Sequence, residues 1–177
     1  MEELIVGAFE TEDKEVLMDE IMNRHGQDIL RLVYSYVNNQ VVAEDLTQDI
    51  FVKCYKALHT YSGKSTLRTW LWRIAINHCK DFLKSWYNKN VIITEDEPTT
   101  NRTNKEMVEE VVIQKEVDDQ LISAIMALPI KYREVIYLFY YEELLIKEIA
   151  VVTEVGGNTV KTRLRRAKEL LKIRLEE

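Results

Sequence analysis

The chain has 177 residues, of which 46% are apolar and 31% charged, and its formal net charge is −6. Such a composition suits a water-soluble, helix-rich protein, and five Gly with two Pro leave too little turn chemistry for a sheet-rich fold. No stretch approaches the ~20 apolar residues of a membrane span, and Glu2, Glu3 and Glu10 put acids where a secretory leader needs bases.

The expected compartment is therefore the cytosol. Cys54 and Cys79 fit a reduced interior better than a disulfide scaffold, with their pairing left open. Charge is distributed unevenly: −7 over residues 1–60, +5 over 61–90, −6 over 91–127 and +2 over 128–177. Within the last part, residues 159–174 hold seven Lys/Arg against the single acid Glu169. Attraction to nucleic acid needs a local basic surface, whatever the total charge. Two such surfaces on an acidic chain point to a protein that grips one polyanion at two places.

Helical periodicity runs through most of the chain. It predicts helices over 16–37 and, after the turn-prone Asn38 and Asn39, over 41–58. A loop carrying Gly63 follows at 59–65, then a long helix over 66–87. Residues 88–104 are polar and contain Pro98, and are read as the start of a flexible linker. A second unit begins near Val117, with Leu121, Ile125 and Leu128 at helical spacing before Pro129. Further helices are predicted over 131–141, burying Val135, Ile136 and Phe139, over 146–153 and over 158–175. The fold class is all-α: two small helical domains, 16–87 and 117–177, joined by a linker over 88–116.

The last helix carries the sharpest signal. Val160, Leu164, Ala167, Leu171 and Leu175 form one apolar stripe. Lys161, Arg165, Lys168 and Lys172 repeat on an adjoining face, which Arg163 and Arg166 widen. Asn158 is placed to cap the helix, and Thr159 and Thr162 offer short groups to phosphates or base edges. A short apolar helix and a tight Gly-containing turn precede it, the layout of a helix-turn-helix whose second helix reads duplex DNA. The plainer alternative is a solvated basic helix on a bundle, but such a face would interleave acids for i, i+4 support.

In the helix over 66–87, Arg73, Asn77, Lys80 and Lys84 line one side, while Leu67, Leu71, Ile74, His78 and Phe82 line the expected core side. Tyr61, Ser62, Gly63, Lys64 and Ser65 form the loop before it. Cations along a track, with aromatics and a small-residue loop at one end, suit unpaired bases. Trp70 is expected in the core. Trp72, closer to the Arg73 side, is a candidate for the strand surface, with a core position as its alternative. Earlier, Leu46, Ile50, Cys54 and Ala57 make the core stripe of the helix over 41–58. Its outer face mixes Glu44, Asp45, Gln48 and Asp49 with Phe51, Val52 and Tyr55, which suits docking on a basic partner as well as ordinary amphipathicity.

These stretches together resemble the extracytoplasmic-function group of bacterial RNA polymerase sigma factors. Residues 43–51, from Ala43 through Asp49 to Phe51, look like the group's core-polymerase-binding helix. Residues 66–75 with Asn77 look like the start of its −10 helix. Leu128, Pro129, Tyr132, Arg133, Glu134 and Val135 resemble the entry to its −35 domain, and Glu148 to Ala150 and Asn158 to Leu164 its two reading helices. The likeness departs at the turn, where Glu154 stands in place of the usual glycine and Gly156 and Gly157 in place of Pro-Val.

The resemblance implies a sigma-2-like bundle followed by a sigma-4-like four-helix domain. It implies core RNA polymerase as partner, held at the clamp helices of the largest catalytic subunit through Glu44, Asp45, Leu46, Gln48, Asp49, Phe51, Val52 and Tyr55, and also at the flap. Promoter DNA is the second partner. The melted −10 strand falls to Tyr61, Ser62, Gly63, Lys64, Ser65, Trp72, Arg73, Asn77, Lys80 and Lys84. The −35 duplex falls to Asn158, Thr159, Lys161, Thr162, Arg163, Arg165, Arg166 and Lys168. An anti-sigma factor, membrane-anchored as is common in the group, is a further partner that no residue here proves; the chain itself is expected to bind no membrane, cofactor or metal and to catalyse nothing. The competing reading is a stand-alone helix-turn-helix regulator, which would need a dimer seam that the sequence does not display. Cys54, His59, His78 and Cys79 lack the spacing of a metal site.

Overall fold

The computed structural model describes residues 11–91 and 115–177, and among these the structure is helical with no strand. The N-terminal unit consists of α1 (Thr11–Val37), α2 (Gln40–Ala57), a 3₁₀ turn (Leu58–Thr60) and α3 (Leu67–Val91). Asn38, in the left-handed region at φ 50°, turns the chain between α1 and α2, and Asn39 caps α2 by accepting the Val42 N–H. Thr66 caps α3 in the same way, its hydroxyl oxygen accepting the Thr69 N–H at 3.2 Å. The helix expected from Thr66 therefore starts one residue later. It also continues four residues past the predicted end, into the stretch read as linker; residues 92–114 of that linker lie outside the described residues, as does the acidic start of the chain.

The C-terminal unit consists of α4 (Lys115–Met126), α5 (Ile130–Ile136) with a π turn (Tyr137–Tyr141), α6 (Ile146–Thr153) and α7 (Gly157–Glu176). Pro129 ends the first segment and opens the second, its carbonyl accepting the Tyr132 and Arg133 N–H groups. The predicted 131–141 helix is thus split between α and π geometry. Val160, Leu164 and Ala167 of α7 are buried, but Leu171 is half-buried and Leu175 exposed, so the stripe leaves the core before the helix ends. Leu121, expected inside, is also exposed.

The two units do not stand apart. Buried apolar residues of both form one continuous cluster, from Ile29, Leu32 and Val33 of α1 through Leu71 and Ile76 of α3 to Leu138, Ile149 and Val160. Helix α3 packs on α6, and α1 touches α5. The inward line of α3 is Leu67, Leu71, Trp72, Ala75, Ile76 and Cys79, whereas Ile74, His78 and Phe82 of the predicted core line are only half-buried. A helix covered on two sides buries a wider arc than a one-sided bundle helix, and the sequence pattern alone indicates only one of those sides.

Candidate nucleic-acid interface

Three groups of predicted residues take up distinct positions. On α2, Glu44, Asp45, Gln48, Asp49 and Val52 are exposed and Tyr55 is half-exposed, with the Lys14 ammonium over its ring. Leu46 and Phe51 are buried at 5% and 6% exposure, so they support that face from beneath and are corrected as contact residues. Apolar side chains at those two register positions point into the α1–α2–α3 core, where burying each is worth ~1.5–3 kcal/mol.

The loop before α3 is shaped by Gly63 at φ 73°, a conformation that favours glycine. Ser62, Gly63 and Lys64 are exposed and Ser65 half-buried. Tyr61 is buried and donates its hydroxyl to the Ser65 carbonyl at 2.8 Å, so it fastens the loop to the bundle rather than facing a strand. Trp72 is corrected likewise: at 1% exposure it is core, edge-on to His25 at 5.6 Å with the Arg68 guanidinium over its ring at 5.0 Å. Trp70, expected in the core, is half-buried against the Tyr61 ring at 5.5 Å. Trp72 thus takes the core place left as its alternative, packed edge-on against His25 of α1, and Trp70 is less buried than expected.

Along α3, Arg73 and Lys84 are exposed and Asn77 and Lys80 half-buried. Two of these cations are already engaged by acids of the C-terminal unit. Lys80 Nζ lies 3.0 Å from Glu134 Oε1 and donates to the Thr153 carbonyl at 3.1 Å. Arg73 meets the Glu154 carboxylate at 3.1 Å and 3.2 Å. Arg68 donates to the Glu142 carboxylate and, at 3.2 Å, to its backbone carbonyl. Glu134, 3% exposed, also accepts the Tyr36 hydroxyl, and Arg133 donates to the Tyr36 carbonyl at 3.0 Å. Burial, and then the nearby Glu134 carboxylate, push the Tyr36 phenol well above its ordinary value, which keeps it a donor. Burial likewise raises Glu142 despite the opposing pull of Arg68.

The C-terminal basic face is arranged differently. Glu154 closes α6 in the left-handed conformation at φ 58°, with the Val155 N–H returning to the Ala150 carbonyl at 3.2 Å. Gly156, at φ −61°, is the residue flanking α7, and no side chain caps that helix; Asn158, expected as the cap, lies inside the first turn. Its carbonyl accepts the Thr162 hydroxyl at 3.0 Å. Asn158, Thr159, Lys161, Thr162, Arg165, Arg166 and Lys168 are exposed, and Arg163 is half-buried. Lys161, Arg163 and Arg165 pair with no acid among the described residues, while Arg166 meets Glu169 at 3.0 Å. A shallow hollow of about 230 Å³ opens between Lys131 and Tyr132 of α5 and Thr162, Arg163, Arg165 and Arg166 of α7.

Both cysteines are free and buried, and burial pushes each thiol up to about 12. Among the described residues no His, Cys, Asp and Glu cluster could hold a metal, and no helix is long and apolar enough to cross a membrane.

Among the described residues, an all-helical fold with a helix-turn-helix near one end and a second basic helix in the N-terminal bundle is the architecture of a DNA-binding protein. Its relatives are specific: residues 21–87 match the family model for sigma-70 region 2, and residues 118–171 that for sigma-70 region 4. The RNA polymerase sigma factor SigV of Bacillus subtilis is 34% identical, over 85% of this chain and 86% of SigV. The ECF RNA polymerase sigma factor SigW of the same organism is 29% identical, over 93% and 91%. A solved sigma factor, RpoE of Bartonella quintana bound to the anti-sigma factor NepR, superposes with a TM-score of 0.70 at 18% identity, over 89% of this chain and 96% of that one. The chain belongs to the sigma-70 family, in its extracytoplasmic-function group.

Proposed function

We propose that this chain is the promoter-selecting subunit of a bacterial RNA polymerase: it binds core enzyme and directs initiation by reading −35 duplex and holding the melted −10 strand. One observation carries the reading: regions 2 and 4 occur in family order, and the second ends in a helix-turn-helix whose basic face is exposed. Glu44, Asp45, Gln48, Asp49, Val52 and Tyr55 would dock on the clamp helices of the largest subunit, over the support of Leu46 and Phe51. Asn158 to Lys168 would enter the major groove, where each bidentate Arg–guanine pair supplies ~1–3 kcal/mol of discrimination. Ser62, Gly63, Lys64 and Ser65 would pocket a displaced base, with Arg73, Asn77, Lys80 and Lys84 along its strand. The chain makes and breaks no bond, and it works where polymerase does, in the cytoplasm. An anti-sigma partner of the kind bound to the solved relative would hold it inactive.

Run-off transcription with bacterial core polymerase on a promoter library tests this directly. Specific start sites that depend on the added chain are expected, and none on any template overturns the reading. Asp49→Lys should abolish co-purification with core enzyme while circular dichroism stays unchanged. Undiminished co-purification removes the docking face.

A further inference from the structure

Helix α5 packs along α7 but lies outside the helix-turn-helix, and the two leave a hollow of about 230 Å³ between them. Its walls carry Lys131 and Tyr132 from α5 and Arg163, Arg165, Arg166 and Glu169 from α7. Four cations thus share one concave space with a single acid, and that acid already meets Arg166 at 3.0 Å. Lys131, Arg163 and Arg165 pair with no acid among the described residues. Like charges gathered in this way repel, and interleaved acids would relieve them on a merely solvated face. An anion in the hollow relieves them equally well.

The donors there are specific. The exposed Lys131 ammonium lies 5.0 Å from the centre of the Tyr132 ring, which holds it at the rim. Tyr132 is half-buried, and its hydroxyl has no hydrogen-bond partner among the described residues. Thr162, also on the wall, spends its hydroxyl hydrogen on the Asn158 carbonyl and donates nothing further. One ammonium, two free guanidinium forks and a phenol remain. Guanidinium forks match the paired oxygens of a phosphate, and an ammonium adds a point charge.

From this donor set we infer that the hollow is a phosphate seat, in which Lys131 and Tyr132 join Arg163 and Arg165 around one phosphate group. That group has two sources. It is a backbone phosphodiester of the duplex lying on α7, or the end of a small polyphosphate anion that competes with the duplex for Arg163 and Arg165. The first source rests on the assignment of α7 to −35 DNA and adds two residues that fix how the helix sits. A phosphate contact of that kind positions the helix and reads no sequence.

Two arms separate the sources, with circular dichroism reporting that each variant is folded. In the first, holoenzymes carrying Lys131→Ala, Lys131→Arg or Tyr132→Phe are titrated with promoter duplexes of differing −35 sequence over a range of salt. Backbone seating predicts that Lys131→Ala weakens every duplex about tenfold, the lower range for a hydrogen bond to a charged group, and lowers the salt slope by ~0.9. The order of preference among sequences stays as in wild type, and Lys131→Arg restores the slope. Tyr132→Phe keeps the ring, loses only the hydroxyl, and costs about threefold. In the second arm the free full chain is titrated with inorganic pyrophosphate by calorimetry at fixed ionic strength. A small-anion seat predicts binding that Lys131→Ala weakens about tenfold. Lys172→Ala, which removes a charge paired with Glu176 outside the hollow, leaves it unchanged.

The predicted loss in either arm upholds the seat and names its source. No effect of Lys131→Ala in both arms overturns it. So does a changed order of sequence preference, which makes Lys131 a base reader, or equal losses from Lys131→Ala and Lys172→Ala, which report net charge alone. The pyrophosphate arm needs no polymerase, and run-off transcription by wild-type holoenzyme is read separately, so the seat and the promoter-selecting function can fail independently.

Discussion

The two basic helices of this chain both carry cations at helical spacing, and their circumstances are opposite. Helix α7 carries Lys161, Arg163 and Arg165 with no acid beside them, and projects them from a unit whose core holds only the opposite stripe of the helix. Helix α3 carries Arg68, Arg73 and Lys80 on a side that the other unit covers, and all three are met by carboxylates. Basic periodicity therefore does not by itself say that a face is available. What decides availability is whether another part of the chain supplies the counter-charge.

The most damaging change lies beneath the covered face. Trp72→Ala should destabilise the N-terminal unit by ~3–5 kcal/mol, since it removes a fully buried ring from between Arg68 and His25. Denaturant unfolding measures this, and a loss below ~1 kcal/mol would return Trp72 to the surface. Next comes the open face: Lys161→Ala and Arg165→Ala should each weaken holoenzyme binding to promoter duplex and flatten its salt dependence by up to ~0.9 per lost phosphate contact. An unchanged slope in both would disqualify α7 as the reading helix.

A narrower effect is expected at the loop. Ser62→Ala with Lys64→Ala should reduce permanganate reactivity of the melted region in holoenzyme complexes and leave −35 affinity nearly intact. A normal footprint removes the loop from strand capture. The smallest effect is protonation. Burial lowers both His25 and His78 below the ordinary imidazole value, so the unfolded chain takes up protons first as pH falls. Their contribution to stability is complete above about pH 6.5 and is lost on acidification below it. Both lie in the N-terminal unit, so Tm should fall as pH drops below about 6.5, and His78→Gln should flatten that fall. Parallel Tm curves for the two proteins would clear His78 of a part.

Much was legible before any coordinates. The caps and breakers at Asn39 and Pro129 mark their helix boundaries to within a residue or two, and the helix over 146–153 matches α6 as predicted. The exposed acids of α2 and the exposed cations of α7 follow from helical spacing, because each helix has a single buried side. The misses share one cause. Tyr61 and Phe51, expected at the surface, are buried, Trp72 takes the core place left as its alternative, and His78, expected in the core, is half-buried, because burial depends on what the rest of the fold packs against a residue. Glu154 was the one visible hint of the inter-unit contact: a glutamate at a glycine position in the turn.

Sequence by itself determined the helices, their order, the two basic tracks and the family, because periodicity, capping chemistry and local motifs are properties of short segments. Only the tertiary structure decided which tryptophan is core and which cations are already paired. The cation pairs depend on residues up to 81 positions apart, such as Arg73 and Glu154, and no local pattern records a neighbour brought in from that distance.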